Sequence, residues 1–290
     1  MNTTSEFQGA EVRDRSIGDL IRDARNLNAA EVEQVLSYQR EHGVRFGEAA
    51  VLLGLASPDD VLNALAQQFH YPVVTAENAG KVSSELVTLL DPFSARAEAI
   101  RAVRSQLMMR LNKPLAERFG IAVVSPDRGD GKTYFASNLA VSLAQLGGRT
   151  LLVDADLRSP RVHEVFQVPN TAGLSGLLSG RTESQVIQPV ESVPGLFVLP
   201  AGPLPPNPLE LIERAAFGLL MRELLSKFDH VVVDTAAVAH GADACVAASR
   251  CGAAVLLARK NQNTLTALQE IAAALAGGST QLLGTVLNEQ

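Results

Sequence analysis

The 290-residue sequence contains no tryptophan, and aromatic residues make up only 4% of it. Its hydrophobic content of 47% still supplies enough apolar side chains for a full core. A chain of this length predicts one large domain together with a small one. A basic excess is also missing, and the formal net charge of −6 argues against a general nucleic-acid binder, which would carry a basic surface.

Cysteine is scarce. Cys245 and Cys251 lie six residues apart in an alanine-rich stretch, a spacing that fits neither a metal site nor a disulfide framework. We therefore expect two small, buried thiols in a reducing cytoplasm.

Long apolar runs are missing as well. The first residues, MNTTSEFQGAEVRDRS, contain no apolar segment of a secretory signal, and residues 1–15 are polar enough to be unordered. The longest uncharged run, Ile271–Asn288, is interrupted by GGSTQ, which indicates a helix end, a turn and a strand rather than a membrane span. We expect a soluble, cytoplasmic chain whose membrane role comes only through a partner.

The most informative stretch is IAVVSPDRGDGKT, from Ile121 to Thr133. It predicts a buried strand, a glycine-bearing loop and the first turn of a helix, an arrangement whose backbone N–H groups can cradle phosphate oxygens. Lys132 would reach the β- and γ-phosphates, and the Thr133 hydroxyl would bind Mg²⁺. The strict pattern requires glycine where this chain has Pro126, so the stretch alone is a degenerate phosphate-binding loop.

Two further apolar segments end in acids. TLLVDAD ends in Asp154 and Asp156, and HVVVDT carries Asp234. Because the carboxyl ends of parallel strands share one edge of a sheet, these acids are expected beside the phosphate loop. Acids also end strands simply to begin turns, but the lysine, the hydroxyl and the three carboxylates together favour a Mg-nucleotide site.

The N-terminal part contains a repeat. Residues 16–39 align with residues 45–68 at an offset of 29, and Asn28 and Ser57 fall at equivalent helix N-cap positions. Each copy predicts a pair of helices, which gives a small helical domain over residues 16–74. Residues 75–93 then predict a linker that rests partly on the domains. Residues 94–290 alternate strands with helices, the pattern of an α/β fold with a doubly wound, mostly parallel sheet.

From about residue 94 onward the sequence resembles the bacterial tyrosine kinases, relatives of the MinD and ParA ATPases, in several blocks that occur in order. The blocks are EAIRAVRSQL, SPDRGDGKT, VDADLRSP, VVVDTA, LPAGPLPPNPLELI and GTVLN. The resemblance, which is greatest to short exopolysaccharide chain-length kinases called EpsG-like, implies ATP- and Mg²⁺-dependent transfer of the γ-phosphoryl group to tyrosine.

The resemblance assigns roles to individual residues. It implies catalytic roles for Lys132, Asp154, Asp156 and Asp234, with Asp154 as the base, and metal binding by Thr133, Asp156 and Asp234. Nucleotide contacts are implied at Gly129, Asp130, Gly131, Lys132, Thr133, Tyr134, Arg158 and Asn288, the last near the adenine. Packing is an alternative role for Tyr134, and surface exposure is one for Arg158. The spacing of Glu98, Arg101 and Arg104 matches the family's oligomerisation helix, although an ordinary surface salt-bridge stripe has the same spacing.

Three features depart from the family pattern. Asp127 occupies the position where ParA-type proteins carry a second lysine, and DTAAV replaces the usual DTPP. A tyrosine-rich tail is not recognisable, since the tyrosines are Tyr38, Tyr71 and Tyr134. We therefore expect either an acceptor on another protein or a non-kinase ATPase switch that controls polysaccharide co-polymerase assembly.

The helical repeat resembles the N-terminal domain of type II secretion and pilus ATPases, some of which bind cyclic di-GMP through a tandem motif. The second copy keeps Arg45, Gly47, Gly54 and Gln68, whereas the first copy has Ser16 and Arg25 at two motif positions. A structural or docking module is favoured over a cyclic di-GMP-sensing adaptor. The implied partners are a separate membrane chain-length determinant, through its cytoplasmic tail, and further copies of this chain.

Overall fold

The computed structural model describes residues 15–68, 82–111, 119–181 and 185–289. The predicted unordered N-terminus, except Arg15, and the first part of the predicted linker lie outside these ranges, as does Tyr71. The described chain forms two compact units, residues 15–68 and residues 82–289.

The first unit consists of two consecutive helix pairs, as the repeat predicts. Its helices are α1 (Ile17–Arg25), α2 (Ala29–His42), α3 (Phe46–Leu52) and α4 (Pro58–Gln68). The two predicted N-caps are confirmed: the Asn28 side chain accepts from the backbone of Glu31, and the Ser57 hydroxyl accepts from the backbone of Asp60. In both cases the carboxylate of the acid three residues further on accepts from the cap residue's own backbone N–H. The second helix of each pair therefore begins with a capping box.

The second unit is built on a seven-stranded sheet of order β3-β4-β2-β5-β1-β6-β7. The strands are β1 (Gly120–Val124), β2 (Thr150–Ala155), β3 (Gln188–Pro189), β4 (Leu196–Leu199), β5 (His230–Thr235), β6 (Gly252–Arg259) and β7 (Gln281–Asn288). All strand pairs are parallel except β3 with β4. The predicted doubly wound, mostly parallel sheet is therefore confirmed.

Helices cover both faces of the sheet. They are α5 (Val87–Leu90), α6 (Ala95–Leu111), α7 (Lys132–Ala144), α8 (Val162–Phe166), α9 (Leu174–Leu178), α10 (Pro208–Glu213), α11 (Ala215–Lys227), α12 (Asp243–Cys251) and α13 (Leu265–Ala276). Ile121 and Val123 point into the core under α6, α7 and α8, whereas Ala122 and Val124 point into the core under the later helices. The strands are thus apolar on both faces, as a doubly covered parallel sheet requires.

The predicted linker over residues 75–93 needs correction, because residues 82–93 are packed into the second unit. Leu86 and Leu89 are buried in its core. The Asn138 carboxamide of α7 accepts from the Thr88 backbone and hydroxyl at 3.0 Å and donates to the Glu85 carbonyl at 2.8 Å. Buried polar groups are stable only when they are paired in this way, so this segment is part of the fold rather than a connector.

Strand β3 was not predicted; it pairs antiparallel with β4 and contributes only two residues, one of them Pro189. Both cysteines are free, and Cys251 is buried, where desolvation raises the pKa of its thiol to about 12. Within the described ranges, none of the helices combines the length and the apolar character needed to span a membrane.

We expect Leu139→Ala to lower the free energy of unfolding by ~2–5 kcal/mol, because Leu139 of α7 is fully buried and its truncation leaves a cavity. The matched control is Leu146→Ala, a leucine that is 55% exposed just after the same helix, with an expected change within ~0.5 kcal/mol. Urea unfolding curves measure both changes. Equal losses in the two variants would contradict the assignment of α7 to the core.

Candidate nucleotide site

Strand pairing brings the predicted acids together. Strand β5 lies between β1 and β2, and its Asp234 pairs in register with Val123 on one side and with Asp154 on the other. Side chains at paired positions of parallel strands point to the same face, so the carboxyl groups of Asp154 and Asp234 are neighbours. The phosphate loop follows β1 directly and therefore starts at the same edge.

The loop geometry depends on two glycines in the left-handed region, Gly129 with φ +87° and Gly131 with φ +96°. A Cβ at Gly131 would lie 2.6 Å from the Asn288 amide nitrogen, so both the backbone and the space require glycine there. The same Asn288 nitrogen donates to the Asp130 carbonyl at 2.8 Å. The end of β7 therefore supports the loop just before α7 begins.

Lys132, the first residue of α7, folds back over the loop and is only 7% exposed. Its ammonium donates to the Ser125 hydroxyl at 2.9 Å and to the Asp127 carbonyl at 3.1 Å. Burial lowers the pKa of Lys132, and the surrounding carboxylates, Asp234 foremost, oppose that shift. A buried cation held by neutral oxygens is well suited to exchange one of them for a phosphate oxygen.

Thr133 and Asp234 form the direct link between the loop and the acids. The Thr133 hydroxyl donates to Asp234 Oδ2 at 2.6 Å. The other oxygen, Oδ1, is buried and finds no hydrogen-bond partner in the described part of the chain. Burial raises the pKa of Asp234 to about 7, although the Thr133 hydrogen bond and Lys132 counteract the rise. An unpartnered buried carboxylate oxygen beside a threonine hydroxyl is suited to the oxygen-ligand chemistry of a hydrated Mg²⁺.

Asp154 and Asp156 differ in exposure. Asp154 is fully buried, and its oxygens accept from the backbone N–H groups of Asp156 at 3.2 Å and Val162 at 3.1 Å. Burial, followed by the charge of Asp234, raises the pKa of Asp154 well above its usual value. Asp156 is only partly buried and accepts from the backbone N–H of Ser159 at 2.9 Å. Of the three predicted carboxylates, Asp156 is thus the one that solvent reaches.

The described residues contain no group of three or more His, Cys, Asp or Glu side chains arranged to hold a metal ion by themselves.

Arg158 has an intramolecular partner. Its guanidinium donates to both carboxylate oxygens of Asp243, at 3.3 and 3.1 Å, and Asp243 is only 3% exposed. The predicted phosphate contact of Arg158 therefore competes with this ion pair between the loop after β2 and the start of α12.

A cavity of about 350 Å³ adjoins the phosphate loop beside α6 and the end of β7. Gly131, Tyr134 and Asn288 line it together with apolar side chains such as Ile100 and Val286. An apolar cavity with a few polar groups at one end is the usual environment of a nucleotide base. Tyr134 and Asn288 are thus placed together, as the predicted nucleotide contacts require, and burial raises the pKa of the Tyr134 hydroxyl.

The residues of the predicted oligomerisation helix have partners within the chain. Arg101 forms an ion pair with Glu98 at 2.8 Å and also donates to the Pro92 carbonyl. Arg104 donates to the Ser142 carbonyl at 2.7 Å and to its hydroxyl at 3.1 Å, which ties α6 to α7. Their role in a subunit interface stays a prediction.

In the first unit, two of the motif glycines have structural explanations. A Cβ at Gly47 would lie 2.7 Å from Val61, so glycine permits the close packing of α3 on α4, and Gly54 has φ +69° after α3. Arg45 is exposed and precedes α3, and Gln68 is the last residue of α4. The cyclic di-GMP motif stays a prediction.

Sequence reasoning missed two residues that contact the loop. Ser125 follows β1 within the quoted motif and could have been noticed as a hydroxyl beside Lys132. Asn263 donates to Asp127 and Asp130 from more than 130 positions away, and nothing in its local sequence marks it.

Residues 121–289 match the CobQ/CobB/MinD/ParA nucleotide binding domain, which covers the phosphate loop, both acidic strands and Asn288. The chain belongs to this family. Among its relatives is tyrosine-protein kinase YwqD of Bacillus subtilis, 30% identical over 209 residues that cover 72% of this chain and 87% of that protein. Tyrosine-protein kinase wzc of Salmonella typhimurium is 30% identical over 71% of this chain, a match that spans only 28% of wzc.

The fold of this family member is shared with solved kinase structures. The kinase domain of Escherichia coli tyrosine kinase ETK superposes with a TM-score of 0.66 at 28% identity, covering 75% of this chain and 89% of that domain. The resemblance to bacterial tyrosine kinases is therefore confirmed over the second unit. The secretion-ATPase resemblance of the first unit stays a prediction.

We expect the thermal midpoint of the nucleotide-free protein to fall by several degrees between pH 5 and pH 8. The folded state keeps a proton on Asp234 up to about pH 7, whereas an unfolded aspartate loses it near its usual value of 3.8. The folded state therefore binds more protons between these values, and stability declines as pH rises through that window.

The Asp234→Asn variant should show a flatter pH profile, because its carboxamide does not titrate. Asp59→Asn, which changes an exposed side chain of the first unit, serves as the control and should keep the original slope. Differential scanning calorimetry across the pH range measures all three profiles. A stability that rises between pH 5 and pH 7 would contradict the raised pKa of Asp234.

Proposed function

We propose that this chain is an ATP-dependent protein-tyrosine kinase that regulates the chain length or export of an exopolysaccharide. The observation that carries the proposal is the contact of Thr133 with Asp234. Thr133 directly follows the buried Lys132, and Asp234 pairs in register with Asp154. The relatives YwqD and wzc are named tyrosine-protein kinases, which favours a kinase over a non-kinase switch.

The residues present fit Mg-ATP. Lys132 and the N–H groups of the loop around Gly129 and Gly131 would hold phosphates, while Thr133, Asp156 and Asp234 would hold the metal ion and its waters. Bound Mg-ATP supplies the transferable phosphoryl group and neutralises part of its charge. The cavity beside Tyr134 and Asn288 would receive the base.

Asp154 is proposed as the base toward the acceptor hydroxyl. Its support is the raised pKa, which burial and the neighbouring charge of Asp234 cause, since a carboxylate with a raised pKa binds a proton more tightly than an ordinary aspartate. Asp154 and the partly buried Asp156 are distinguished by their asparagine variants: loss of transfer with unchanged Mg-ATP affinity identifies the base, and loss of affinity identifies a metal ligand.

The phosphate acceptor is proposed to lie on another protein. Of the three tyrosines in this sequence, Tyr38 stacks on His42 in the first unit and Tyr134 lines the cavity beside the loop. The cytoplasmic tail of a membrane chain-length determinant is the proposed partner, which would also recruit the chain to the inner membrane. A homo-oligomer assembled through the α6 residues Glu98, Arg101 and Arg104 belongs to the same proposal.

The first unit is proposed as a docking module rather than a cyclic di-GMP sensor. Packing explains Gly47, and the turn after α3 explains Gly54, so neither glycine requires a ligand. The exposed Arg45 is the motif side chain that would bind a guanine edge with two hydrogen bonds.

We expect Lys132→Met to reduce phosphotyrosine formation by at least ~100-fold, because the variant loses the buried cation that faces the phosphates. Lys227→Met is the matched control, since this exposed lysine pairs with Glu223 on the surface and its loss should leave transfer unchanged. The assay combines labelled ATP, Mg²⁺ and a tyrosine-bearing tail of the membrane partner. Phosphotyrosine that persists in Lys132→Met would refute the assignment of the site.

We expect titration calorimetry of the full chain with cyclic di-GMP to give no heat of binding. A measurable heat that disappears in Arg45→Ala, but persists in Arg40→Ala from the preceding helix, would overturn the docking assignment. It would then identify the first unit as a nucleotide sensor.

A further inference from the structure

The turn between β6 and α13 contacts the phosphate loop through the carboxamide of Asn263. Asn263 Nδ2 donates to Asp127 Oδ2 at 3.1 Å and to the two oxygens of Asp130 at 3.1 and 3.3 Å. One amide group therefore holds two carboxylates that belong to the same short loop.

The orientation of Asn263 is fixed by its other end. Its Oδ1 accepts from the backbone N–H of Arg259 at 2.5 Å, so the NH₂ group is directed at the carboxylates. The Arg259 guanidinium donates in turn to the Gly129 carbonyl at 3.2 Å. The end of β6 and the following turn thus hold the loop at three of its residues.

The carboxylates of Asp127 and Asp130 place negative charge in a loop that is proposed to bind negatively charged phosphates. Asp130 is buried, and its Oδ2 also accepts from the Asp127 N–H at 2.7 Å. Either carboxylate, once released, would compete with phosphate oxygens for Lys132 and for the loop N–H groups, and it would repel the phosphates directly. A neutral double donor removes that competition without adding a positive charge.

We propose that Asn263 is a positioning residue of the nucleotide site: it binds Asp127 and Asp130 so that their carboxylates leave Lys132 and the loop N–H groups other than that of Asp127 available to phosphate. This inference rests on the proposed ATP-dependent function. It adds a residue that none of the loop and acidic-strand motifs contains.

The first test compares Asn263→Ala, Asn263→Asp and the control Gln262→Ala, an exposed neighbour in the same turn. Asn263→Ala should raise both the Kd for Mg-ATP and the KM about tenfold, the size expected for one charge-assisted hydrogen bond, while kcat changes less than about threefold. Asn263→Asp places a third carboxylate in the cluster and should raise the Kd by about a hundredfold or more. Gln262→Ala should change neither constant.

The second test repeats Asn263→Ala in an Asp127→Asn background, where one of the two competing charges is already gone. The loss of affinity should then shrink to about threefold or less, which is the signature of coupling between the two sites. A general packing defect would give the same loss in both backgrounds. Thermal melts of every variant identify any that fail to fold, and the Asp127→Asn pair keeps the comparison within folded proteins.

Three results would overturn the inference: an unchanged Kd in Asn263→Ala, an equal loss in both backgrounds, or a fall in kcat alone. Calorimetric Kd values for Mg-ATP separate this inference from the kinase proposal. A chain that binds Mg-ATP with the predicted Asn263 dependence but transfers no phosphate would refute only the kinase function. A parent chain that does not bind Mg-ATP would overturn both.

Discussion

Two aspartates on neighbouring strands, Asp154 and Asp234, are buried side by side, and this costly placement organises the second unit. Burying even one carboxylate is unfavourable unless hydrogen bonds or opposite charges compensate. The compensation comes from different elements: backbone N–H groups after β2 for Asp154, and Thr133 with Lys132 for Asp234. Because Lys132 and Thr133 are the first residues of α7, the start of this helix has to lie beside Asp234 at the end of β5.

Around that centre, the phosphate loop has little regular structure of its own and depends on side chains from distant strands. Asn288, at the end of β7, donates to the Asp130 carbonyl, and Arg259, at the end of β6, donates to the Gly129 carbonyl. Within the loop itself, the Ser125 hydroxyl accepts from Lys132. Behind α7, Asn138 and Arg104 attach the helix to residues 82–91 and to α6. The helix that carries Lys132 is thus fixed on both sides, which suits a site that works by positioning charge.

The sequence predicted those parts of the structure whose signal is local. Each apolar strand is a short continuous run, and the acids follow two of them directly, so the parallel-sheet rule placed Asp154 and Asp234 together. The N-caps Asn28 and Ser57 are equally local, since each contact spans three residues. Once the strands were identified, the rule that the carboxyl ends of parallel strands share one edge of the sheet placed the acids beside the phosphate loop.

The parts that escaped prediction depend on distant partners. Residues 82–93 resemble a connector until Asn138 is seen to accept from Thr88, 50 positions earlier. Arg158 resembles an exposed or phosphate-binding arginine until its pairing with Asp243 is visible. Strand β3 consists of two residues, one a proline, and so offers no period from which a strand can be inferred.

That short strand also affects how the molecule meets other molecules. Pro189 has no N–H to offer, so β3 closes one margin of the sheet with a residue that cannot extend hydrogen bonding to an incoming strand. Fibril-like stacking along that margin is thereby discouraged. Contacts with other proteins along this margin then depend on side chains rather than on the open backbone of an edge strand.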